Sequence, residues 1–365
     1  PSCAVMGSTK PPLLRQTVRP MRTAEQHRSS KEPAAGHSPG EGRLLQINHL
    51  KTYFFLRHGV VKAVDDVCLS LNAGDIVGIV GESGCGKSVL ARSIMRLIPR
   101  PPGRIVGGEI EFMGRDLLQL SEKSMQGIRG NEISMIFQEP MTSLNPVYTI
   151  GAQLSEIYMK HRGLSRKEAL QKSVEMLRLV GIPSPESRVS SYPFQMSGGM
   201  RQRVVIAMAL ACRPRIILAD EPTTALDVTI QAQILRLISN LERDFGTSML
   251  LITHDMGVVA ETVRRVLVMY AGRVVEQAKV DDLFDEPMHP YTEGLLLSIP
   301  VLEDKRVKEF GPLTEIPGLV PDLSRLPKGC YFAPRCPRCT SICKHETPQL
   351  KEIRPERCVS CWLYE

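Results

Sequence analysis

The strongest constraint on this chain is Gly81-Glu82-Ser83-Gly84-Cys85-Gly86-Lys87-Ser88. It follows the apolar run Ile76-Val77-Gly78-Ile79-Val80 and leads into a helix-like run over residues 89–98. Strand, glycine-rich turn and helix, with the spacing G-x-x-x-x-G-K-S, is the pattern of a loop that cradles phosphates. Glycine lets successive backbone N–H groups turn inward without Cβ clashes. The N-terminus of the following helix adds partial positive charge. Lys87 has the reach and charge for β- and γ-phosphates, and the Ser88 hydroxyl is the type that ligates magnesium. A chance glycine turn is not expected to match every fixed position between a strand and a helix. The sequence therefore predicts an α/β fold that binds a nucleoside triphosphate at residues 81–88.

Further apolar runs point to the same sheet. Arg215-Ile216-Ile217-Leu218-Ala219-Asp220-Glu221 reads as a buried parallel strand ending in two carboxylates. Asp220 is suited to hold magnesium opposite Ser88, and Glu221 to polarise an attacking water as general base. An isolated Asp-Glu pair would more simply be a helix cap or a solvated turn; beside a phosphate loop the catalytic reading is preferred. Met249-Leu250-Leu251-Ile252-Thr253 is another such strand. It delivers His254-Asp255 to the carboxyl edge of the sheet, where open α/β folds bind ligands. A lone histidine is usually structural, but this placement favours contact with the γ-phosphate. Ile133-Ser134-Met135-Ile136-Phe137 forms one more strand, closed by Gln138, and a helix is predicted over residues 228–243.

Elsewhere, Leu45-Gln46-Ile47 and Val67-Cys68-Leu69-Ser70-Leu71 alternate as half-buried strands. Tyr53-Phe54-Phe55 lies between them in a loop-like setting. Its rings either stack on a base or join the core, and the residues alone do not decide. Residues 145–212 look mainly helical. Ser165 and Glu168 fit a capping box, and Leu170, Ser173, Val174, Leu177 and Val180 recur at helical spacing as a buried face. Phe194-Gln195-Met196-Ser197-Gly198-Gly199-Met200-Arg201-Gln202-Arg203 then leads into an apolar helix over 204–212.

The chain has 365 residues, enough for roughly two domains at about 100–200 residues each. No apolar run approaches the roughly 20 residues of a membrane span, so a membrane role would be peripheral. The net charge is +7, and residues 1–42 carry six Lys/Arg against three Glu. No basic block stands out, so a solvated surface is preferred to a nucleic-acid partner. Residues 1–42 read as a disordered tail without a secretory signal, with Met6 and Met21 as candidate starts. Six of ten cysteines fall in the last 36 residues. With a nucleotide-consuming core, which points to the reducing cytosol, that cluster reads as a metal or iron–sulfur site.

Taken together over about residues 44–300, the set resembles the nucleotide-binding subunit of an ABC transporter. Residues 81–88 match its Walker A loop and 216–220 its Walker B strand, followed by the catalytic Glu221. Gln138 matches the Q-loop, Ser197-Gly198-Gly199 the signature, Ala225-Leu226-Asp227 the D-loop and His254 the switch histidine. The resemblance implies an aromatic stacked on adenine, with Phe54 the first choice and Tyr53 the second. It implies Gln138 as a further magnesium contact and sensor of the γ-phosphate. Met200 departs from the general LSGGQ signature; the run from Ser197 to Leu210 is similar to the D-type ATPase subunit of dipeptide and oligopeptide permeases. The Ser197 hydroxyl and the two glycine amides are retained.

The stretches 287–296 and 316–321 look like the tail of peptide and nickel permease ATPases. In that tail four cysteines hold a [4Fe–4S] cluster. The matching positions are Cys330, Cys336 after five residues, Cys343 after six more, and Cys361. Cys339 and Cys358 are additional, and Cys358-x-x-Cys361 is a metal-type pair that leaves zinc open. The resemblance divides the chain into a tail (1–42), an ATPase domain (43–285) with a helical subdomain near 140–212, and a C-terminal domain (286–365). It implies ATP and Mg²⁺ as ligands and an F-type ATPase subunit as heterodimer partner. It also implies two membrane-spanning permease subunits and an extracytoplasmic binding protein as partners, with this chain peripheral at the cytoplasmic face of the membrane. Nickel import is the alternative cargo. A soluble ATPase of DNA repair or the ribosome fits less well, because a single set of motifs and no sustained heptads are present. A redox sensor with ATPase output is a third reading.

Overall fold

The computed structural model describes residues 43–138, 143–223, 230–235, 246–299 and 315–365. The expected tail, the Ala225-Leu226-Asp227 motif and most of the helix expected over 228–243 lie outside the described residues.

The phosphate-loop strand β3 (Ile76–Val80) is buried at every residue. It lies between β8 (Ser248–Ile252) and β9 (Arg265–Tyr270), parallel to both. Beyond β8, in parallel, come β7 (Ile216–Asp220) and β6 (Ile133–Ile136). All residues of β6, β7 and β8 are buried, as the unbroken apolar runs require of strands covered on both faces. On the other side the sheet turns antiparallel, through β10 (Arg273–Lys279) to β12 (Arg357–Val359) and β11 (Lys351–Arg354). The last stretch of the chain thus extends the sheet that carries the phosphate loop.

A second, antiparallel sheet has the order β2-β1-β4-β5, from β1 (Arg43–Leu56), β2 (Gly59–Asn72), β4 (Gly103–Phe112) and β5 (Arg115–Asp116). The loop-like setting expected for Tyr53-Phe54-Phe55 is corrected here: all three lie in β1. Hydrogen bonding to β2 on one side and to β4 on the other carries that strand through 14 residues. Val67, Leu69 and Leu71 point inward and Cys68 and Ser70 are half-buried, as their alternation predicted.

Two apolar layers sandwich the main sheet. Val77, Ile79, Leu218, Leu250 and Ile252 face the antiparallel sheet and helix α1 (Lys87–Ile94), whose Leu90 and Ile94 are fully buried. Ile76, Val80, Ala219, Leu251 and Val268 face the other side. There they meet the helical segments α3 (Ile150–Arg162), α4 (Arg166–Leu179), α6 (Gly198–Leu210) and α7 (Met256–Thr262). Helix α2 (Glu122–Ile128) and the short α5 (Pro185–Arg188) lie between these elements in the chain. α4 has the expected capping box from Ser165 and Glu168. Its buried stripe is Ala169, Ser173, Met176 and Leu177, continued by Val180, whereas Leu170 is 44% exposed. The small Ala169 allows close helix approach, and Leu170, one position round, is turned outward.

After β10 come α8 (Val280–Asp285) and α9 (Pro290–Leu297). Tyr291 of α9, Tyr270 of β9 and Phe332 form an aromatic knot with ring centroids 4.6–5.5 Å apart. Tyr270 and Tyr291 are at most 1% exposed and Phe332 2%. Helix α10 (Ser341–His345) follows in the cysteine-bearing stretch.

Candidate functional site

The loop between β3 and α1 is shaped by its glycines. Gly81 and Gly86 have φ of 149° and 106°. A Cβ at Gly81 would come within 2.2 Å of the Met269 carbonyl oxygen, and one at Gly86 within 2.0 Å of that of Ala63. These two positions accept no side chain without moving the backbone. Lys87 is 5% exposed. Its Nζ donates to the carbonyls of Gly81 at 2.7 Å and Glu82 at 3.0 Å, and lies 3.7 Å from Cys85 Sγ.

Asp220 closes β7 directly across from α1, and Ser88 Oγ donates to its Oδ1 at 2.9 Å. Asp220 is 1% exposed. Burial pushes its carboxyl above the usual range, the Ser88 hydrogen bond opposes this, and the neighbouring Glu221 charge adds to it. Serine hydroxyl and carboxylate together make a hard-oxygen pair of the kind magnesium takes. Glu221 has φ of 47°, a left-handed conformation that costs a non-glycine residue on the order of 1–3 kcal/mol. Its N–H donates to Ile252 O at 2.9 Å, which holds the turn. Gln138 Nε2 donates to Glu221 Oε2 at 3.0 Å, and His254 Nδ1 lies 3.3 Å from Oε1.

Lys87, Ser88, Gln138 and Glu221 meet at one cleft of about 350 Å³, whereas Asp220 and His254 adjoin it through Ser88 and Glu221 without lining it. Ser83, Gly84, Gly86, Lys87 and Ser88 line it, together with Gln138 and Glu221. Phe54, Val61, Ala63 and Leu323 line it as well. Tyr53 does not line it; its hydroxyl donates to Asp65 at 2.6 Å. The side chains of Glu82 and Cys85 are also directed elsewhere, Glu82 to Arg335 and Cys85 into the core. Ser197 lies outside the cleft as the N-cap of α6, its hydroxyl accepting from Met200 N–H at 3.3 Å. Beside it, Gly198 faces open space and Gly199 faces Ile230. Gln202 and Leu323 carried no sequence signal. Gln202 Nε2 donates to the carbonyl of Pro222, next to Glu221, at 2.5 Å. Leu323 comes from the far end of the chain.

The four cysteines matched by the resemblance also come together. Cys330, Cys336, Cys343 and Cys361 line one small cavity, with Pro290, Phe332, Trp362 and Arg338 in its walls. Cys330 N–H donates to Cys343 O at 2.8 Å. Burial pushes the Cys330 thiol up to about 11, and also raises Cys336 and Cys361. Cys339 and Cys358 are not in this wall; Cys358 lies in β12. Among the described residues, no three His, Cys, Asp or Glu side chains converge closely enough to hold one metal ion.

Comparison with known proteins agrees with this geometry. Residues 64–224 match the family described as ABC transporter. Residues 275–343 match the oligopeptide/dipeptide transporter C-terminal region. A probable peptide ABC transporter ATP-binding protein of Sinorhizobium fredii is 54% identical over 325 residues, covering 89% of this chain and 96% of the relative. The oligopeptide transport ATP-binding protein AppD of Bacillus subtilis is 53% identical, covering 88% and 97%. The dimeric ATP-binding cassette MJ0796 bound to ADP and phosphate superposes with a TM-score of 0.59 at 29% identity, covering 65% of this chain and 99% of that one. A phosphate loop, a paired-carboxylate strand and relatives that run nearly the length of the chain place this protein among the ABC transporter ATP-binding proteins of the oligopeptide/dipeptide type.

Proposed function

We propose that this chain is the ATP-hydrolysing subunit of a membrane importer of dipeptides or oligopeptides. The observation that carries the reading is the Glu221 carboxylate, held by Gln138 and His254 at a cleft also lined by Lys87 and Ser88. In this reading Lys87 binds the β- and γ-phosphates, Phe54 packs on the adenine, and Glu221 takes the proton of the attacking water. His254 orients Glu221 and steadies charge that develops on the γ-phosphate. Ser88, Asp220 and Gln138 would hold Mg²⁺, which would supply charge neutralisation at the phosphate oxygens.

Ser197, Gly198 and Gly199 lie away from this cleft, so they would serve the ATP held by a second, F-type subunit, with Asp227 at the same joint. Two membrane-spanning subunits and an external binding protein complete the assembly, with this chain peripheral at the cytoplasmic face. Among the described residues no helix is long and apolar enough to cross a membrane, consistent with a peripheral subunit. The units are residues 43–285 for the cassette, with its helical part near 140–212, and 286–365 for the C-terminal part.

In this reading the cysteine cavity holds a [4Fe–4S] cluster, with a single zinc as the alternative. Cys330, Cys336, Cys343 and Cys361 line one small cavity, and thiolate sulfur is the ligand type such a cluster takes. When bound, the cluster would supply a cross-link among Cys330, Cys336, Cys343 and Cys361. The test of function is ATPase activity of the subunit purified with its co-assembled membrane partners. Stimulation by peptides with their binding protein is expected. Stimulation by nickel and not by peptides would overturn the cargo assignment.

A further inference from the structure

Glu82 poses an electrostatic problem within the phosphate loop. A loop that gathers N–H groups and a lysine around three phosphates is weakened by a nearby carboxylate, which repels the ligand. The Glu82 side chain is met by Arg335, 253 residues later in the chain. Nη1 donates to Oε2 at 2.7 Å and Nη2 to Oε1 at 2.9 Å, a two-pronged pair that fixes geometry as well as charge.

The Arg335 side chain is only 4% exposed, and the rest of its guanidinium is also engaged. Nε donates to Pro317 O at 3.0 Å, and Nη2 to Ile316 O at 3.3 Å. Both backbone groups of Glu82 are fixed too. Its N–H donates to Tyr291 Oη at 2.8 Å, and its carbonyl accepts from Lys87 Nζ at 3.0 Å. The residue that Arg335 neutralises is therefore the one that Lys87 leans on. The same stretch touches the cleft again at Leu323, whose carbonyl accepts from Lys62 N–H at 3.2 Å.

We propose that Arg335 is a positioning residue for ATP binding, which cancels the Glu82 carboxylate and pins the entrance of the phosphate loop. The C-terminal stretch is then part of the nucleotide site. This rests on residues 81–88 as the ATP site; if the wild-type chain bound no ATP, that reading would fail before this one was reached.

The test is equilibrium binding of ATP to the full chain, with thermal unfolding of each variant measured alongside. Arg335→Met leaves a bare carboxylate beside the phosphates and weakens ATP binding by about fivefold or more, less than breaking a fully buried pair would cost because Glu82 is 28% exposed. Adding Glu82→Gln removes that charge, and the double variant binds closer to wild type than to Arg335→Met. An arginine that only props the fold would not be rescued in this way. Less than fivefold weakening, or a double variant as weak as Arg335→Met, overturns the proposal. If Arg335→Met does not fold, Arg335→Lys decides. It keeps the charge without the fork, so weakening that Glu82→Gln relieves in the Arg335→Lys background supports the proposal, and weakening that it does not relieve, or no weakening at all, overturns it.

Discussion

Replacing Glu221 by Gln changes one atom and removes one charge. The side chain keeps its length, and an amide oxygen can still accept from Gln138 Nε2, now 3.0 Å from the carboxylate. The left-handed turn at residue 221 is unchanged, because its strain lies in the backbone. On the proposed mechanism, what disappears is the proton acceptor. General-base catalysis contributes about 10²–10⁴ in rate, which is about 2.7–5.4 kcal/mol of barrier at roughly 1.36 kcal/mol per decade. Binding should move the other way. The Glu221 charge is one of the influences that raise the buried Asp220 carboxyl, so its removal favours ionised Asp220 and with it the magnesium-dependent binding of ATP. Single-turnover phosphate release and equilibrium ATP binding are measured on the same preparation. Turnover within tenfold of wild type, or loss of both turnover and binding, would refute the general-base assignment.

Gly86→Ala should abolish ATP binding, since the added Cβ would lie 2.0 Å from the Ala63 carbonyl oxygen; normal affinity by calorimetry would mean that the loop is softer than its geometry. Phe54→Ala should weaken ATP by about tenfold, on the order of 1–2 kcal/mol for a stacked ring, whereas Tyr53→Phe should not; equal losses in a binding titration would count against the placement of the two rings. Asp65 is nearly buried, which would raise its carboxyl, but hydrogen bonds from Tyr53 and Tyr331 and the Arg273 guanidinium outweigh burial and hold it below the usual range. Its folded value lies below its unfolded one, so it stabilises above the ordinary carboxylate range and less as pH falls through that window; denaturant melts of wild type and Asp65→Asn should converge toward acid, and parallel curves would exclude the linkage. Anaerobically purified protein should carry iron and absorb near about 400 nm; stoichiometric zinc without iron would replace the cluster by a single-metal site.

The parts legible in the sequence are those whose chemistry is local. The phosphate loop needs eight consecutive residues, and β3, β7 and β8 announce themselves as apolar runs because both of their faces are covered. Gln138, Glu221 and His254 could be placed because each sits at the carboxyl end of such a strand. Tyr53 and Phe54 could not be ranked by their own letters. Their directions follow from the register of a 14-residue strand paired on both sides, and pairing partners are non-local. Leu170 suited an apolar stripe by spacing, yet its neighbour Ala169 takes the buried position. Arg335 and Leu323 were invisible for a stronger reason: nothing near either residue speaks of nucleotide, and only folding brings them to the loop.

The pairing of β12 with β10 has a practical consequence for anyone who shortens this protein. Glu276 and Gln277 of β10 are in register with Val359 and Cys358, so removing the end of the chain would bare one side of a central-type strand. An unprotected strand edge is a template for intermolecular pairing. Losing Phe332 would also leave Tyr270 and Tyr291 facing a hole next to Glu82. A version cut after the cassette is therefore expected to self-associate, with its aggregation tracking the exposed edge rather than any defect in the nucleotide cleft.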